Sequence, residues 1–163
     1  MLKKLCGIKA GDKVTFGRYD RVVMDTRENE ALLMTDKIVL YRKYDGKNRK
    51  AVWENCELRE YPGGKFFDSS FGEGEKALIP EKSHANPDGD TADRVFLPSR
   101  KEAEKYKAYM QCPIPGEYDA RKFRLRDRTD SLGSCVDCTN GRMDSSLIYT
   151  EGGVRPAIWI RIK

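Results

Sequence analysis

Gly152-Gly153-Val154-Arg155-Pro156-Ala157-Ile158-Trp159-Ile160 is the stretch of sequence that says most about the fold of this chain. The glycine pair provides backbone freedom, and Pro156 suits the edge or the first residue of the apolar strand that follows. Arg155 lies among apolar neighbours, so its charge has to be satisfied in place by a carboxylate or by backbone carbonyl groups. We therefore predict a buried structural arginine next to a closing strand, and no catalytic group.

Short β-strand patterns surround this closing segment. The C-terminal strand region, 123–162, alternates strand-like runs with turns, of which Asn140-Gly141 is a strong hairpin signal. The N-terminal region, 12–41, is typical of an antiparallel meander, and the helical patterns are confined to the middle, 53–110. Because strands and helices are segregated along the chain, the predicted class is α+β with an antiparallel sheet.

The middle region is predicted to hold two or three short helices. The first covers 53–61 and is stopped by Pro62-Gly63-Gly64. Two Ser-x-x-Glu capping boxes, at 70–73 and 99–102, begin the others, and a long loop is predicted over 81–93. We expect one core to tie the first helix to the closing strand, through the side chains of Trp53, Leu58, Phe96 and Trp159.

The composition is that of a globular chain. Its 163 residues fit one domain, 1–163, and 31 Lys and Arg against 26 Asp and Glu leave a net charge of +5. The basic residues are dispersed, which argues against a nucleic-acid partner. No apolar run could span a bilayer and no signal-peptide core follows Met1, so we expect no membrane association and a cytoplasmic location, or a virion or host cytoplasm if a phage encodes the chain. Five cysteines cannot all pair within the chain, and the lack of a signal-peptide pattern favours reduced thiols.

Four sequence motifs carry a family resemblance that spans nearly the whole chain. They are Gly11-Asp12-Lys13-Val14-Thr15-Phe16-Gly17, Trp53-Glu54-Asn55-Cys56-Glu57-Leu58-Arg59, Asp93-Arg94-Val95-Phe96-Leu97-Pro98-Ser99 and Gly153-Val154-Arg155-Pro156-Ala157-Ile158-Trp159-Ile160. In this order they resemble a bacterial and phage domain family of unassigned function that shares the C-type-lectin-like fold. The resemblance implies a fold similar to that of formylglycine-generating enzymes and of the variable binding proteins of diversity-generating retroelements.

One strand departs from this family's pattern. Members usually show a Trp-rich word where this chain has Lys122-Phe123-Arg124-Leu125-Arg126-Asp127-Arg128, and the preceding segment from Tyr118 is short. Strand alternation would point Phe123 and Leu125 to the core and line the outer face with a basic ladder of Lys122, Arg124, Arg126 and Arg128. An acidic protein partner would suit that ladder; the alternative is a solvated face softened by Asp127 and Asp130. The candidate ligand-binding residues are Arg124, Arg126, Arg128 and Tyr149.

Two cysteines at CxxC spacing, Cys135 and Cys138, are the weaker candidates for chemistry. Such a pair can be half of a zinc site or a redox dithiol, but none of the other Cys and His residues forms a second close pair. Ordinary thiols near a hairpin are the alternative that the spacing favours.

The loop around His84, the chain's only histidine, offers oxygen atoms at alternating positions that calcium would accept: Asn86, Asp88, Asp90 and Asp93. The spacing does not match an EF-hand, because Gly89 comes one residue too early and Leu97 stands where the bidentate Glu is needed. Turn formation explains the same residues, and His84 is expected to be solvated.

These observations favour a non-catalytic binding module that presents the strands and loops of 123–152 to a ligand, most simply a protein. The alternative is a metal-dependent or thiol enzyme centred on Cys135 and Cys138. No cofactor is expected under the first interpretation; zinc or calcium are the weaker alternatives.

Overall fold

The computed structural model describes residues 5–113, 121–129 and 132–162. The segment that begins at Tyr118 therefore lies partly outside the described residues. Asp130, which was predicted to soften the charge of the basic ladder, lies outside them as well. The strands are β1 Lys13–Phe16, β2 Tyr19–Arg27, β3 Glu30–Thr35, β4 Leu40–Arg42, β5 Lys82–His84, β6 Thr91–Asp93, β7 Val95–Phe96, β8 Lys122–Thr129, β9 Leu132–Asp137, β10 Met143–Leu147, β11 Gly152–Val154 and β12 Ala157–Arg161.

The helices are short and lie in the middle of the chain. They are α1 Glu57–Tyr61, α2 Phe67–Ser70, α3 Glu73–Lys76 and α4 Arg100–Lys105, with 3-10 turns at Trp53–Asn55 and Lys107–Tyr109 and a π turn at Pro62–Phe66. The predicted α+β class is confirmed. None of the helices in the described part of the chain is long and apolar enough to cross a membrane.

The first sheet, sheet A, has the order β1-β2-β3-β12-β7, with every neighbouring pair antiparallel. Its first three strands form the predicted N-terminal meander. The meander ends there, since β4 joins the second sheet instead of continuing it. Between β3 and β4, the backbone N–H groups of Thr35 and Val39 donate to the carbonyls of Pro156 and Val154. The connection therefore runs along the closing segment until β4 joins the second sheet.

The second sheet, sheet B, has the order β10-β9-β8-β11-β4. Its pairs are antiparallel except for β11 and β8, which run parallel at Gly153 and Phe123. The predicted Asn140-Gly141 turn connects β9 to β10, and Gly141 has the positive φ of 70° that this turn requires. The predicted loop over 81–93 instead contains the antiparallel hairpin of β5 and β6.

Two predicted helix boundaries are wrong. Pro62-Gly63-Gly64 does not stop the first helix, because Pro62 takes helical angles and the backbone continues through a π turn into α2. Ser70 does not cap α3, which begins after Gly72. The predicted cap at Ser99 is confirmed, since its hydroxyl accepts a hydrogen bond of 3.1 Å from the backbone N–H of Glu102.

The central strands of sheet A, β3 and β12, are buried on both faces. Along β12, Ala157 and Trp159 belong to one apolar cluster, and Ile158 and Ile160 belong to another, as strand alternation requires. The first cluster includes apolar residues of sheet B, and the second includes aromatic residues of the helical segment. The predicted common core is confirmed: the first cluster contains Trp53, Leu58, Phe96 and Trp159.

The closing segment contains the predicted buried arginine. Arg155 Nε donates to the carbonyl of Thr35 at 3.0 Å, and Nη1 donates to the carbonyls of Tyr109 and Met110 at 3.1 and 3.2 Å. Its guanidinium carbon lies 4.9 Å from the ring centre of Phe123. Backbone carbonyls therefore satisfy the charge, and Arg155 joins both sheets to the end of the helical region.

Gly152 and Gly153 are needed because other side chains pack directly against their backbone, and not for the backbone freedom that was expected. Neither glycine is among those with positive φ. A Cβ on Gly152 would lie 2.8 Å from Arg124 Nε, and one on Gly153 would lie 2.5 Å from Ile38 Cδ1. Any side chain at either position would overlap the packed neighbours.

Candidate functional site

The basic ladder predicted on β8 is not an exposed face. Arg124 and Arg126 are only 1% and 4% exposed, whereas Phe123 and Leu125 point into the core as predicted. Alternation separates the two arginines from Phe123 and Leu125, but the face that carries the arginines is covered by the segments that they bond to. The prediction that Arg124 and Arg126 are exposed is therefore wrong, and their proposed role in ligand binding depended on that exposure.

Arg124 holds the end of sheet B together. Its Nε donates to the carbonyl of Arg42 at 3.2 Å, and Nη2 donates to the carbonyls of Leu147, at 2.9 Å, and Thr150. Burial lowers its pKa from the ordinary value for arginine. A cation enclosed in this way fixes the turn after β10 against β4 and does not face a partner.

Arg126 holds the β5–β6 hairpin against α4 and β7. Its Nε donates to Asn86 Oδ1 at 2.7 Å, Nη1 donates to the carbonyl of Leu97 at 2.9 Å, and Nη2 forms an ion pair with Glu102 at 2.5 Å. Arg128, the last arginine of the ladder, is half-buried and donates to the carbonyls of Arg49 and Ala51.

The four oxygen-bearing side chains proposed for calcium are not brought together as a site. Asn86 Oδ1 already accepts from Arg126. The Asp93 carboxylate accepts from Trp53 Nε1 at 3.1 Å, Arg59 Nε at 2.8 Å and Thr91 Oγ1 at 2.9 Å. Asp88 and Asp90 are exposed in the loop between β5 and β6.

His84 is not the solvated loop residue that was expected. Its side chain is only 7% exposed, and its ring lies 4.0 Å from the ring of Phe96. Burial, reinforced by the charge of Arg126, lowers its pKa. The residue is therefore a neutral part of the core beside a charged network.

Cys135 and Cys138 have different surroundings. Cys135 is buried in β9, and burial raises its pKa to about 11. The sulphur of Cys138 lies 3.0 Å from that of Cys112, which is 26 positions away in the sequence. Among the described residues no three His, Cys, Asp or Glu side chains converge in a way that could hold a metal ion.

Tyr149 marks an exposed apolar surface at one end of sheet B. In the described part of the chain the exposed large apolar side chains are Leu132, Leu147 and Tyr149, at 38%, 36% and 37%. Leu132 and Leu147 are direct cross-strand partners of β9 and β10, and a turn after β10 carries Tyr149. The guanidinium carbon of Arg49 lies 5.0 Å from the Tyr149 ring centre. We call these four residues the Tyr149 patch.

The loop that supplies Arg49 to the Tyr149 patch is rich in basic side chains. Lys47, Arg49 and Lys50 are exposed in the loop that follows β4. The backbone N–H of Asp45 donates to the carbonyl of Ile148, which attaches this loop beside Tyr149. The Asp45 carboxylate faces inward and accepts from the N–H groups of Lys47 and Asn48. Apolar and cationic groups are thus neighbours on this surface.

Sequence reasoning identified Tyr149 but missed its neighbours in the patch. Leu147 follows the polar run Asp144-Ser145-Ser146 and lies two positions before Tyr149, so strand alternation would place both on the side opposite Ile148, a pattern that could have indicated an exposed position. Leu132 and Arg49 gave no such signal, because only the strand register and the stacking on Tyr149 place them there.

Comparison with known proteins supports one assignment. The family described as Domain of unknown function (DUF6273) matches residues 28–162. No curated protein and no solved structure matches the chain.

Proposed function

The chain belongs to this family of domains of unknown function, and we propose that it is a non-catalytic module that binds a partner protein through the Tyr149 patch. One observation carries the proposal. The large apolar side chains that the described residues leave exposed lie at the same end of sheet B, joined by the pairing of Leu132 with Leu147. An exposed tyrosine that stacks with an arginine beside apolar side chains is typical of a protein-binding hot spot.

The edge of sheet B supports a particular mode of binding. β10 is the outermost strand, so one side of its backbone is unpaired within the sheet. An extended partner segment could add to this edge through main-chain hydrogen bonds while its apolar side chains contact Leu147 and Tyr149.

The charges beside the patch define the chemistry of the partner. Arg49 contacts the Tyr149 ring, and Lys47 and Lys50 are exposed in the same loop as Arg49. We therefore propose an extended protein segment that carries apolar anchors together with Asp or Glu. The acidic partner expected from β8 is retained, but the cations that would meet it belong to the loop after β4.

We also propose that the domain has a C-type-lectin-like fold and is located in the cytoplasm. The pairing of β12 with β3 joins the two ends of the chain in one sheet, which supports a variant of the C-type-lectin-like fold of bacterial and phage proteins. The described cysteines form no disulfide, which supports a cytoplasmic location.

The test is site-specific crosslinking in the cells that carry the gene. A photoreactive phenylalanine analogue replaces Tyr149 in one sample and the exposed Lys101 of α4 in another. We expect a protein adduct from position 149 that is absent from position 101. The captured protein is then purified and its affinity is measured for the wild type and for Leu132→Ser/Leu147→Ser/Tyr149→Ser.

The triple variant should raise Kd at least tenfold, about 1.4 kcal/mol or more, with an unchanged melting temperature. The matched control, Lys101→Ser/Glu104→Ser on α4, should bind like the wild type. Equal adducts from both positions, or equal affinity of the triple variant and the wild type, would contradict the proposed binding surface.

A further inference from the structure

Cys112 and Cys138 form a close thiol pair that the proposed binding function does not use. Their sulphur atoms are 3.0 Å apart. The backbone N–H of Cys112 also donates to the carbonyl of Cys138 at 3.2 Å, which holds the two residues side by side. Forming the bond requires the two sulphurs to close by roughly 1 Å.

Neighbouring contacts hold both halves of this pair. Arg155 donates to the carbonyls of Tyr109 and Met110, just before Cys112. On the other side, the backbone N–H of Cys138 donates to the carbonyl of Arg121 at 2.7 Å, and Gln111 Nε2 donates to the carbonyl of Thr139 at 3.1 Å. The pairing is therefore built into the fold at the end of β9.

The two thiols differ in exposure and in acidity. Cys112 is half-buried, and its hydrogen bond with Cys138, followed by the charge of Arg155, lowers its pKa to about 7. Cys138 is buried, and its pKa is raised by the same hydrogen bond and by burial. Cys112 is thus the more accessible and the more acidic thiol of the pair, and Cys138 lies buried behind it.

The other buried thiols lack these properties. Burial raises the pKa of Cys56 to about 12 and that of Cys135 to about 11. Both side chains are almost fully enclosed. Neither would compete with Cys112 for an oxidant that arrives from solvent.

We propose that Cys112 and Cys138 form a reversible dithiol site that reduces small hydroperoxides. The Cys112 thiolate attacks the terminal peroxide oxygen, so an S–O bond forms, the O–O bond breaks, and the alkoxide or hydroxide that leaves takes up a proton. Cys138 then attacks the Cys112 sulphenic acid: the S–S bond forms, the S–O bond breaks, and the hydroxide leaves as water with the Cys138 proton. Two thiols lose two electrons and one peroxide gains them; an external dithiol restores the pair.

This site is distinct from the Tyr149 patch. Cys138 follows the last residue of β9, whereas Leu132 is the first residue of the same strand. Loss of either function would therefore leave the other measurable.

The experiment treats the reduced full-length chain with hydrogen peroxide, in a Cys6→Ser background that prevents intermolecular disulfides at this exposed cysteine. We expect the loss of two thiols, a mass decrease of about 2 Da, and a linked peptide pair that joins Cys112 to Cys138, all reversed by dithiothreitol. The oxidised chain should also melt at a higher temperature than the reduced chain.

Two variants separate reactivity from crosslinking. Cys138→Ser keeps a hydrogen-bond donor beside Cys112 but cannot form the disulfide, so Cys112 should stop at the sulphenic acid. Cys138→Ala removes the donor, so the pH profile of iodoacetamide alkylation at Cys112 should move up from about 7 towards the ordinary thiol range, around 8.5.

Three results would overturn the proposal. They are an intact pair of thiols after peroxide treatment, a link between Cys135 and Cys138, and the same alkylation profile at Cys112 in the wild type and in Cys138→Ala. The matched control, Cys135→Ser, should leave the Cys112–Cys138 link and its rate of formation unchanged.

Discussion

Buried arginines are the most distinctive single residues of this protein. Among the described residues, Arg21, Arg124 and Arg155 are the three largest side chains that are fully enclosed, and their hydrogen-bond partners are backbone carbonyl groups. A guanidinium carries five N–H donors in a rigid fork, so one side chain can satisfy carbonyls from several segments. Each arginine therefore acts as a clamp between strands.

Replacement of Arg155 should be severe. Arg155→Ala would leave the carbonyls of Thr35, Tyr109 and Met110 buried without their donor, so we expect the free energy of unfolding to fall by about 3 kcal/mol or more. Urea denaturation provides the measurement. Arg155→Lys keeps the charge but not the fork and should recover only part of the loss. An unchanged unfolding midpoint in Arg155→Ala would show that the clamp contributes nothing.

His84 should make stability depend on pH. Burial lowers its pKa in the folded protein, so below about pH 6.5 the unfolded chain binds a proton that the folded chain does not. The free energy of unfolding should consequently decrease as the pH falls from 7 to 5.5. Because His84 is the only histidine, His84→Gln should flatten the dependence in this window. Parallel curves for the wild type and His84→Gln, measured by urea denaturation at each pH, would disagree with this account.

At the scale of elements, β8 and β11 fit together through a glycine and an arginine. A Cβ at Gly152 would approach Arg124 Nε to 2.8 Å, and three carbonyls hold Arg124 in place. The parallel contact between these strands therefore requires a residue without a side chain at position 152.

A double-mutant cycle tests this fit. Gly152→Ala should lower the free energy of unfolding by about 1–3 kcal/mol because the added methyl overpacks the site. In an Arg124→Ala background the same change should cost markedly less, since the space is vacated. Chemical denaturation of the four proteins gives the coupling. Equal costs in the two backgrounds would mean that Arg124 is not what excludes a side chain at position 152.

The burial of Arg126 in β8 determines how a charge reversal at this position affects stability. On an exposed face, Arg126→Glu would leave stability unaffected. In the structure it would bring a carboxylate beside Glu102 and remove the donor to Asn86 and Leu97, so we expect a loss of about 3 kcal/mol or more. Thermal melting distinguishes the two outcomes. The exposed Arg49→Glu serves as the control and should melt within a few degrees of the wild type.

At the scale of the whole molecule, sheet A is the middle layer. Residues of β3 and β12 alternate between two apolar clusters, one shared with sheet B and the other with the helical segment. The closing strand lies between β3 and β7, so the last residues of the chain complete the sheet that the first residues begin. Folding of both halves therefore depends on β12.

Trp159 tests this dependence. Its side chain is buried in the first cluster, with the guanidinium carbon of Arg27 4.3 Å from its ring centre. Trp159→Ala should cost about 3–5 kcal/mol in the free energy of unfolding, whereas Leu147→Ala in the exposed patch should cost less than about 0.5 kcal/mol. Similar losses for the two variants in urea denaturation would contradict the layered core.

Much of the architecture was predictable from the sequence by itself. Local signals located the α+β class, the meander of β1 to β3, the Asn140-Gly141 turn, the Ser99 cap and the buried Arg155, because propensity, turn chemistry and the need to satisfy a charge act over a few residues. Apolar spacing also identified members of the common core, among them Trp53 and Trp159.

Only the tertiary structure decided the surfaces. Arg124 and Arg126 look exposed by strand alternation, yet distant segments of the chain cover and enclose them. The contact of Cys112 with Cys138, the burial of His84 and the assembly of the Tyr149 patch likewise join residues far apart in the chain. Local patterns report what a residue prefers, but exposure and partnership depend on which distant segments pack against it, and that is determined when the two sheets and the helical segment come together.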